Sequence, residues 1–399
     1  MSKQVGLYVG GGVLLVLIYV LGVTTGYYGR VNLQNYSTVF KQELMGRKLG
    51  ETDLNLLWTV TDLVNEKYLG QTNYQEMLYG AIRGAVEGLN DPYSVFTSPT
   101  ENSAFFQTLD GVYEGVGVEI NVIEGHLIVI TPVKGSPAER AGLLPKDEIL
   151  AIDNESVVGM TFGDAINKMK GLAGTTVKLT VGREGLSNSL EIEITRETVR
   201  SKSVTVDIDA DKIATINIAR FASDTEAGFK SAVNSVIAGG AVGLVLDMRN
   251  NPGGFLDVGV KVANEFLASG MIVEERFKDG KTTPFSADGS GRLTKLPVVV
   301  LVNEGSASAA EIVAGALQDS QRAKIVGEQT YGKGSVQEVD AFPDGSALRL
   351  TVAKWYTPKG RSISDEGIKP DKVLKWESST TSDNQLEGAK EVLKTMIGR

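Results

Sequence analysis

From about residue 200 onward the chain alternates strand-like and helix-like runs, and no other feature limits its fold as tightly. KIATINIARF reads as a strand, DTEAGFKSAVNSVIAG as a helix, AVGLVLDMR as a buried strand and DVGVKVANEFLAS as a helix. LPVVVLVN then reads as a second buried strand and AAEIVAGALQDS as a helix, with strands AKIVGE and ALRLTVAKWYTP after them. Short apolar runs bounded by turn residues and separated by helical stretches describe an α/β domain. Its glycine and proline clusters fall at strand ends, where open α/β sheets tend to bind ligands.

Three of those stretches carry residues suited to catalysis. DMRNNPGG, residues 247–254, ends a strand in a Pro-Gly-Gly turn able to aim bare backbone N–H groups outward. GSASAAE, residues 305–311, puts Ser308 near a helix amino terminus, where unpaired N–H groups and the helix dipole favour developing negative charge. EQTYGKGSVQE, residues 328–338, holds Lys333 between two glycines, so the backbone can bend and turn the ammonium inward. A lysine serves as a general base only where burial lowers its pKa from about 10.4 toward neutrality. Taken singly, each stretch also has an ordinary structural reading: a β-turn, a capped helix start with small-residue packing, and a solvated lysine.

Composition narrows the choice of base. The chain has one histidine, His126, and no cysteine, so thiol nucleophiles are excluded and a Ser-His-Asp triad would need His126. That residue sits in VIEGHLIVI, where an exposed hairpin loop is expected. The usual zinc ligand sets cannot be assembled either, which leaves lysine as the base for a serine. GEQTYGKG fits GxxxxGK, but Gly334 stands where a phosphate-binding loop has Ser or Thr, and strand-and-turn sequence follows. The net charge of -9 argues against a general nucleic-acid binder.

Upstream, VGLYVGGGVLLVLIYVLGV at residues 5–23 is almost wholly apolar, with no charged residue between Lys3 and Arg30. At 1.5 Å per residue it spans roughly 28 Å, close to the ~30 Å hydrocarbon layer. It exceeds the apolar region of a cleaved signal, so an uncleaved signal anchor is expected. Two amphipathic helices follow, LNLLWTVTDLVNEKYL and YQEMLYGAIRGAVEGL, the second stopped by NDPYS at Pro92. Between about residues 106 and 199, short strands, turns and one helical run, MTFGDAINKMKG, are enough for a small domain of their own. After Asp371, a serine- and threonine-rich linker leads to a short helix with Leu386, Ala389, Val392 and Leu393 on one side, which would pack on the α/β domain or on a second subunit.

The 106–199 segment resembles a PDZ domain. Tyr113, Gly115, Val116 and Gly117 match the glycine-containing loop that receives a peptide carboxylate, and SPAERAGL followed by KDEILAID matches the central PDZ pattern. The resemblance implies a nest of backbone N–H groups for the carboxylate and a following strand edge that accepts an extended peptide.

The ordered set LNDPYS, the PDZ segment, DMRNNPGG, NEGSASAAEIVAGALQD, GEQTYGKGSVQ and GIKPD resembles the carboxyl-terminal processing peptidases, tail-specific serine proteases that use a serine and a lysine. The resemblance covers nearly the whole chain beyond residue 54. It implies a multidomain α/β protein: a signal anchor or transmembrane helix at 1–30, an N-terminal helical region at 31–105, the PDZ domain at 106–199, a protease domain of the Clp protease and crotonase type at 200–375, and a C-terminal linker and helix at 376–399.

The same resemblance places the nucleophile on Ser308 and not Ser306, and the general base on Lys333. Gln337 would orient the lysine, and the backbone N–H groups of Gly254 and Ala309 would bind the oxyanion. Gln337 lies four positions beyond Lys333 in a strand-like run, which would put both on one face. No metal or cofactor is required. The PDZ segment would dock exposed C-terminal tails of protein substrates and gate the site, both chain ends would join in a homodimer, and the catalytic part would sit outside the cytoplasm on a single-pass membrane anchor.

One position departs from the pattern: Lys170 precedes Gly171 where such proteases often have arginine, and lysine lacks the planar fork. The alternative function is a membrane-bound PDZ adaptor with a silent protease domain, against which the retention of Ser308, Lys333 and Gln337 speaks.

Overall fold

The computed structural model describes residues 48–49, 52–123, 125–186, 188–364, 366–377 and 383–398. The apolar stretch at 5–23 lies outside these residues; among the described ones no helix is long and apolar enough to cross a membrane. They divide into two units between Leu78 and Tyr79. In the first, the helix Asn55–Lys67 carries Leu56, Leu57, Trp58 and Leu63 on exposed positions and buries none of its residues. The helix Tyr74–Glu87 ends before Pro92, because Asn90 has turned to φ 53, which an α-helix cannot continue.

The expected α/β domain is present in the second unit. Its main sheet runs in the spatial order Val204–Ile208, Ile213–Ile218, Gly243–Asp247, Val298–Val302, Lys324–Gly327 and Lys372–Val373. The first pair is antiparallel and the rest parallel. Both central strands are buried at every position, as their unbroken apolar sequences require. Alternate side chains go to opposite faces. Leu244, Leu246, Val298 and Val300 pack against the helices Thr225–Ala238, Leu256–Asn264 and Ala309–Asp319. Val245, Val299 and Leu301 meet Ala389 and Leu393 of the helix Asn384–Met396. Of the two partners open to that terminal helix, it therefore takes the sheet of its own domain. Arg249 fixes it there, with ion pairs of 2.7 Å to Asp247 and 2.6 Å to Asp383.

A second sheet, absent from the sequence reading between residues 266 and 296, contains Thr282–Ser286, Met271–Phe277, Ala347–Tyr356 and Ser335–Ala341 in that order, with Val95–Thr97 also on Ala347–Tyr356. MIVEERF and TTPFS lack a clean apolar alternation, so periodicity does not pick them out.

The 112–200 segment is a separate antiparallel sheet in the order Leu190–Thr195, Thr176–Gly182, Glu148–Ile152, His126–Pro132, Val118–Ile123, with its own core of Val129, Ile149, Leu179 and Val181. Residues 106–109, counted above with this domain, instead finish the helix Pro99–Leu109. His126 is exposed at the start of its strand, paired with Glu148.

Candidate active site

Three neighbouring parallel strands end side by side, and each delivers one of the three stretches singled out in the sequence. Gly243–Asp247 runs into the Asn251–Gly254 turn, Val298–Val302 into Ser306–Ser308, and Lys324–Gly327 into Thr330–Lys333. This is the carboxyl edge of the sheet, where α/β folds place their ligands.

Ser308 caps the helix Ala309–Asp319, hereafter the serine helix, with φ 52 and ψ -115. A non-glycine residue seldom adopts that conformation, and it persists only where surroundings enforce it. The surroundings are close. A Cβ on Gly253 would lie 2.6 Å from the Ser308 Cβ and 2.8 Å from the Ala307 carbonyl, so only glycine lets the turn reach this near. Asn251, fully buried, accepts from the Gly253 N–H at 2.8 Å and from the Ala307 N–H at 2.9 Å, and donates to the Ile218 carbonyl at 2.7 Å. Gly254 bridges to Phe221 through the Gly253 carbonyl and the Phe255 N–H, which leaves its own N–H out of the bridge. Ala309 is the first residue of the serine helix, where backbone N–H groups have no partner within the helix.

Ser306 is fully buried; its hydroxyl donates to the Met248 carbonyl at 2.8 Å and accepts from the Asn303 N–H at 3.0 Å. Its geometry gives it a supporting role, and Ser308 is the half-buried serine of the pair.

A residue passed over in the sequence joins the serine to the lysine. Glu311 has no exposed surface, and its carboxylate accepts four hydrogen bonds. The Ser308 and Lys333 N–H groups each reach Oε2 at 2.9 Å, while the Gly332 N–H at 2.7 Å and the Thr330 hydroxyl at 2.6 Å reach Oε1. Burial pushes the Glu311 carboxyl up, and those hydrogen bonds push back. Spacing held the clue: serine followed three residues later by glutamate at a helix start is a capping pattern. Thr330 is held in turn by the Ile368 N–H of GIKPD at 2.7 Å.

The Lys333 ammonium lies 5.0 Å from the centroid of the Tyr93 ring, and among the described residues it has no hydrogen-bond partner. Burial lowers its pKa first, the nearby Arg349 lowers it further, and Asp91 and Glu311 oppose both. LNDPYS builds this wall. Asp91 accepts from the Ser94 hydroxyl at 2.6 Å and the Tyr93 N–H at 3.1 Å; burial would raise its carboxyl, but those bonds, Thr351 and Lys333 hold it below the usual range.

Gln337 reaches its position by a different route from the one expected. Lys333 precedes the strand Ser335–Ala341, and the register shifts between Val336 and Gln337, so strand alternation does not put the two on one face. The Gln337 amide donates to Ser335 at 2.8 Å and Thr351 at 3.2 Å.

In the PDZ-like segment, Tyr113 and Gly115 belong to the strand Val112–Gly115, paired with Glu197–Arg200. Val116 and Gly117 are buried: the Val116 carbonyl accepts from Ala138, and that of Gly117 from Val133 and the Ser136 hydroxyl. The next strand, Val118–Ile123, stands at the end of its sheet. Lys170 bridges to Gly115 and lies 5.9 Å from the Tyr113 ring centroid, while Arg196 donates to the Met169 and Lys168 carbonyls at the end of the helix Phe162–Met169.

The sequence matches peptidase family S41 over residues 212–374, a PDZ domain over 128–183, and the N-terminal domain of the activating protease CtpB over 20–99. It is 36% identical over 331 residues to the carboxy-terminal processing protease CtpA of Bacillus subtilis (strain 168), covering 82% of this chain and 71% of that protein. The chain belongs to peptidase family S41, among the carboxy-terminal processing proteases. It is thus a serine-type peptidase with a PDZ domain. Among solved structures, the photosystem II D1 C-terminal processing protease superposes with a TM-score of 0.53 at 34% identity, covering 84% of this chain and 90% of that one.

Proposed function

We propose that this S41 peptidase cleaves proteins recognised by exposed C-terminal tails, with Ser308 as nucleophile, Lys333 as general base and Gln337 as the residue that orients it. The observation that carries the assignment is the shared Glu311 carboxylate, which pins the backbones of Ser308 and Lys333 to one buried group. From its place over Tyr93, the unprotonated Lys333 amine swings to the serine and takes its proton; the alkoxide attacks the substrate carbonyl. The N–H groups of Gly254 and Ala309 receive the oxyanion, and Lys333 returns its proton to the departing amine. Water then hydrolyses the acyl-enzyme, with Lys333 again as base.

In this reading the tail adds as a further strand alongside Val118–Ile123, the last strand of its sheet, with its carboxylate toward the Tyr113–Gly117 stretch. The domains divide near residues 30, 109, 200 and 375, the protease part is of the Clp protease and crotonase type, residues 5–23 anchor the protein on one membrane face with the catalytic part extracytoplasmic, and two copies associate. The four parallel strand pairings of the main sheet and the capped helix after its fourth strand support the fold type.

The test is digestion of an unfolded protein ending in an apolar tail, by wild type, Ser308→Ala and Lys333→Ala, with and without EDTA. Cleavage by wild type alone, unchanged by EDTA, is expected. Undiminished cleavage by either variant would reject the pair, and tail binding without cleavage in all three would favour an adaptor.

A further inference from the structure

Arg349 is a cation that the mechanism above does not use. It stands in the strand Ala347–Tyr356, paired with Val339 on one side and Val95 on the other. Two residues on, and so on the same face of that strand, Thr351 accepts from the Gln337 amide and donates its N–H to Ser94 at 3.0 Å. Ser94 adjoins Tyr93, the ring beneath the Lys333 ammonium. The strand that carries Arg349 is therefore stitched to both the orienting glutamine and the lysine's wall.

The guanidinium lies 3.8 Å from the centroid of the Phe105 ring, in the helix Pro99–Leu109. Its Nε is buried without a hydrogen-bond partner, and among the described residues Arg349 forms no ion pair with a carboxylate. An aromatic face holds the charge in place without neutralising it. Arg349 and Lys333 are both half-buried, and the strand that follows Lys333 pairs with the strand that carries Arg349. Arginine does not shed its proton in proteins, whereas lysine does. Like charges at close quarters disfavour the charged form of whichever group can titrate. The groups facing Lys333 from the surrounding elements are Asp91 and Tyr93 ahead of Val95–Thr97, Glu311 on the serine helix, and Arg349; Arg349 is the one cation among them.

We infer that Arg349 is a positioning residue of this peptidase, a permanent charge pinned on Phe105 that keeps the Lys333 amine free to accept the Ser308 proton. The inference rests on the assignment of Lys333 as base. It gives Phe105 a purpose beyond packing, since the ring fixes where the charge sits.

The test is the rate at which a fluorophosphonate labels Ser308, followed across pH in the full chain, for wild type, Arg349→Gln, Arg349→Lys, Phe105→Leu and Lys333→Ala. For Arg349→Gln, the rise of labelling with pH should move to higher pH by about one unit, a roughly tenfold loss near neutrality recovered at alkaline pH. Arg349→Lys should fall between wild type and Arg349→Gln, and Phe105→Leu should shift the same way by less. Recovery at high pH separates this outcome from misfolding. An unmoved midpoint in both Arg349→Gln and Phe105→Leu, whether labelling is unchanged or falls evenly, would overturn the inference. If Lys333→Ala labelled as wild type does, the base assignment itself would fail, a result distinct from an unmoved midpoint.

Discussion

The two halves of the catalytic site are built by opposite means. Around Ser308 nearly everything is backbone: the Gly253–Gly254 turn, Ala307, the first residue of the serine helix and the buried Asn251 that ties them. Around Lys333 the decisive groups are side chains, Tyr93 and Asp91 from far upstream and Gln337 and Arg349 from the strand pair that follows it, and the lysine is only half-buried. The first half is determined by sterics, the second by charge. Backbone holds a nucleophile in a rare conformation because neighbouring atoms leave no other, while a lysine's proton affinity can be set only by what surrounds its tip.

Glu311 belongs to both halves, so Glu311→Ala should damage both. It leaves four donors unsatisfied in a buried site, a loss on the order of 4 kcal/mol or more in denaturant unfolding together with loss of cleavage. Near-normal stability would mean that the halves are held together elsewhere.

Gly253→Ala tests the backbone half alone. The new methyl would meet Ser308 and Ala307 at a residue whose φ is 94, so stability should fall by about 2 kcal/mol and cleavage by roughly a hundredfold or more. The pH dependence of Ser308 labelling should keep the wild-type midpoint, because the lysine's surroundings are untouched.

In the side-chain half, Gln337→Ala should lower kcat by about tenfold with little change in unfolding, since its amide bonds are to Ser335 and Thr351 in a half-buried position. A loss as large as that of Gly253→Ala would make the glutamine part of the rigid frame.

Lys333→Met should change stability modestly, and in the opposite direction to Glu311→Ala and Gly253→Ala. An unfolded lysine keeps its proton up to about pH 10.4, whereas burial loosens that hold in the native state. Between the native value and ~10.4 the unfolded chain binds more protons, so wild-type stability rises with pH there, and the penalty is fully present below that window. The inactive Lys333→Met protein should therefore melt a few degrees above wild type at neutral pH, the gap closing as pH approaches about 10.4. Lower stability than wild type at neutral pH would mean that the lysine's packing outweighs its charge.

Much of the backbone half was legible in the sequence. The buried strands AVGLVLDMR and LPVVVLVN declare themselves by unbroken apolar runs, and a strand end followed by Pro-Gly-Gly or by a small-residue helix start is a local pattern. Glu311 was legible too, three residues after Ser308, but was not read. Tyr93 and Arg349 were not: Tyr93 lies far upstream of Lys333, Arg349 sits on the next strand, and nothing local marks a ring or a guanidinium as a neighbour of the lysine. Gln337 was named by family likeness, but the argument from strand alternation failed, because the strand starts at Ser335 and shifts register just ahead of the glutamine.

By itself the sequence determined the alternation of elements on an α/β sheet and, with no cysteine and one histidine, excluded a thiol nucleophile, since periodicity and composition are properties of a chain before it folds. Only the tertiary structure decided which serine is buried against the Met248 carbonyl, which carboxylate ties the Ser308 and Lys333 backbones together, and which ring lies by the lysine. Those are matters of distance between residues remote in sequence, and of burial, which no single stretch of chain possesses until another covers it.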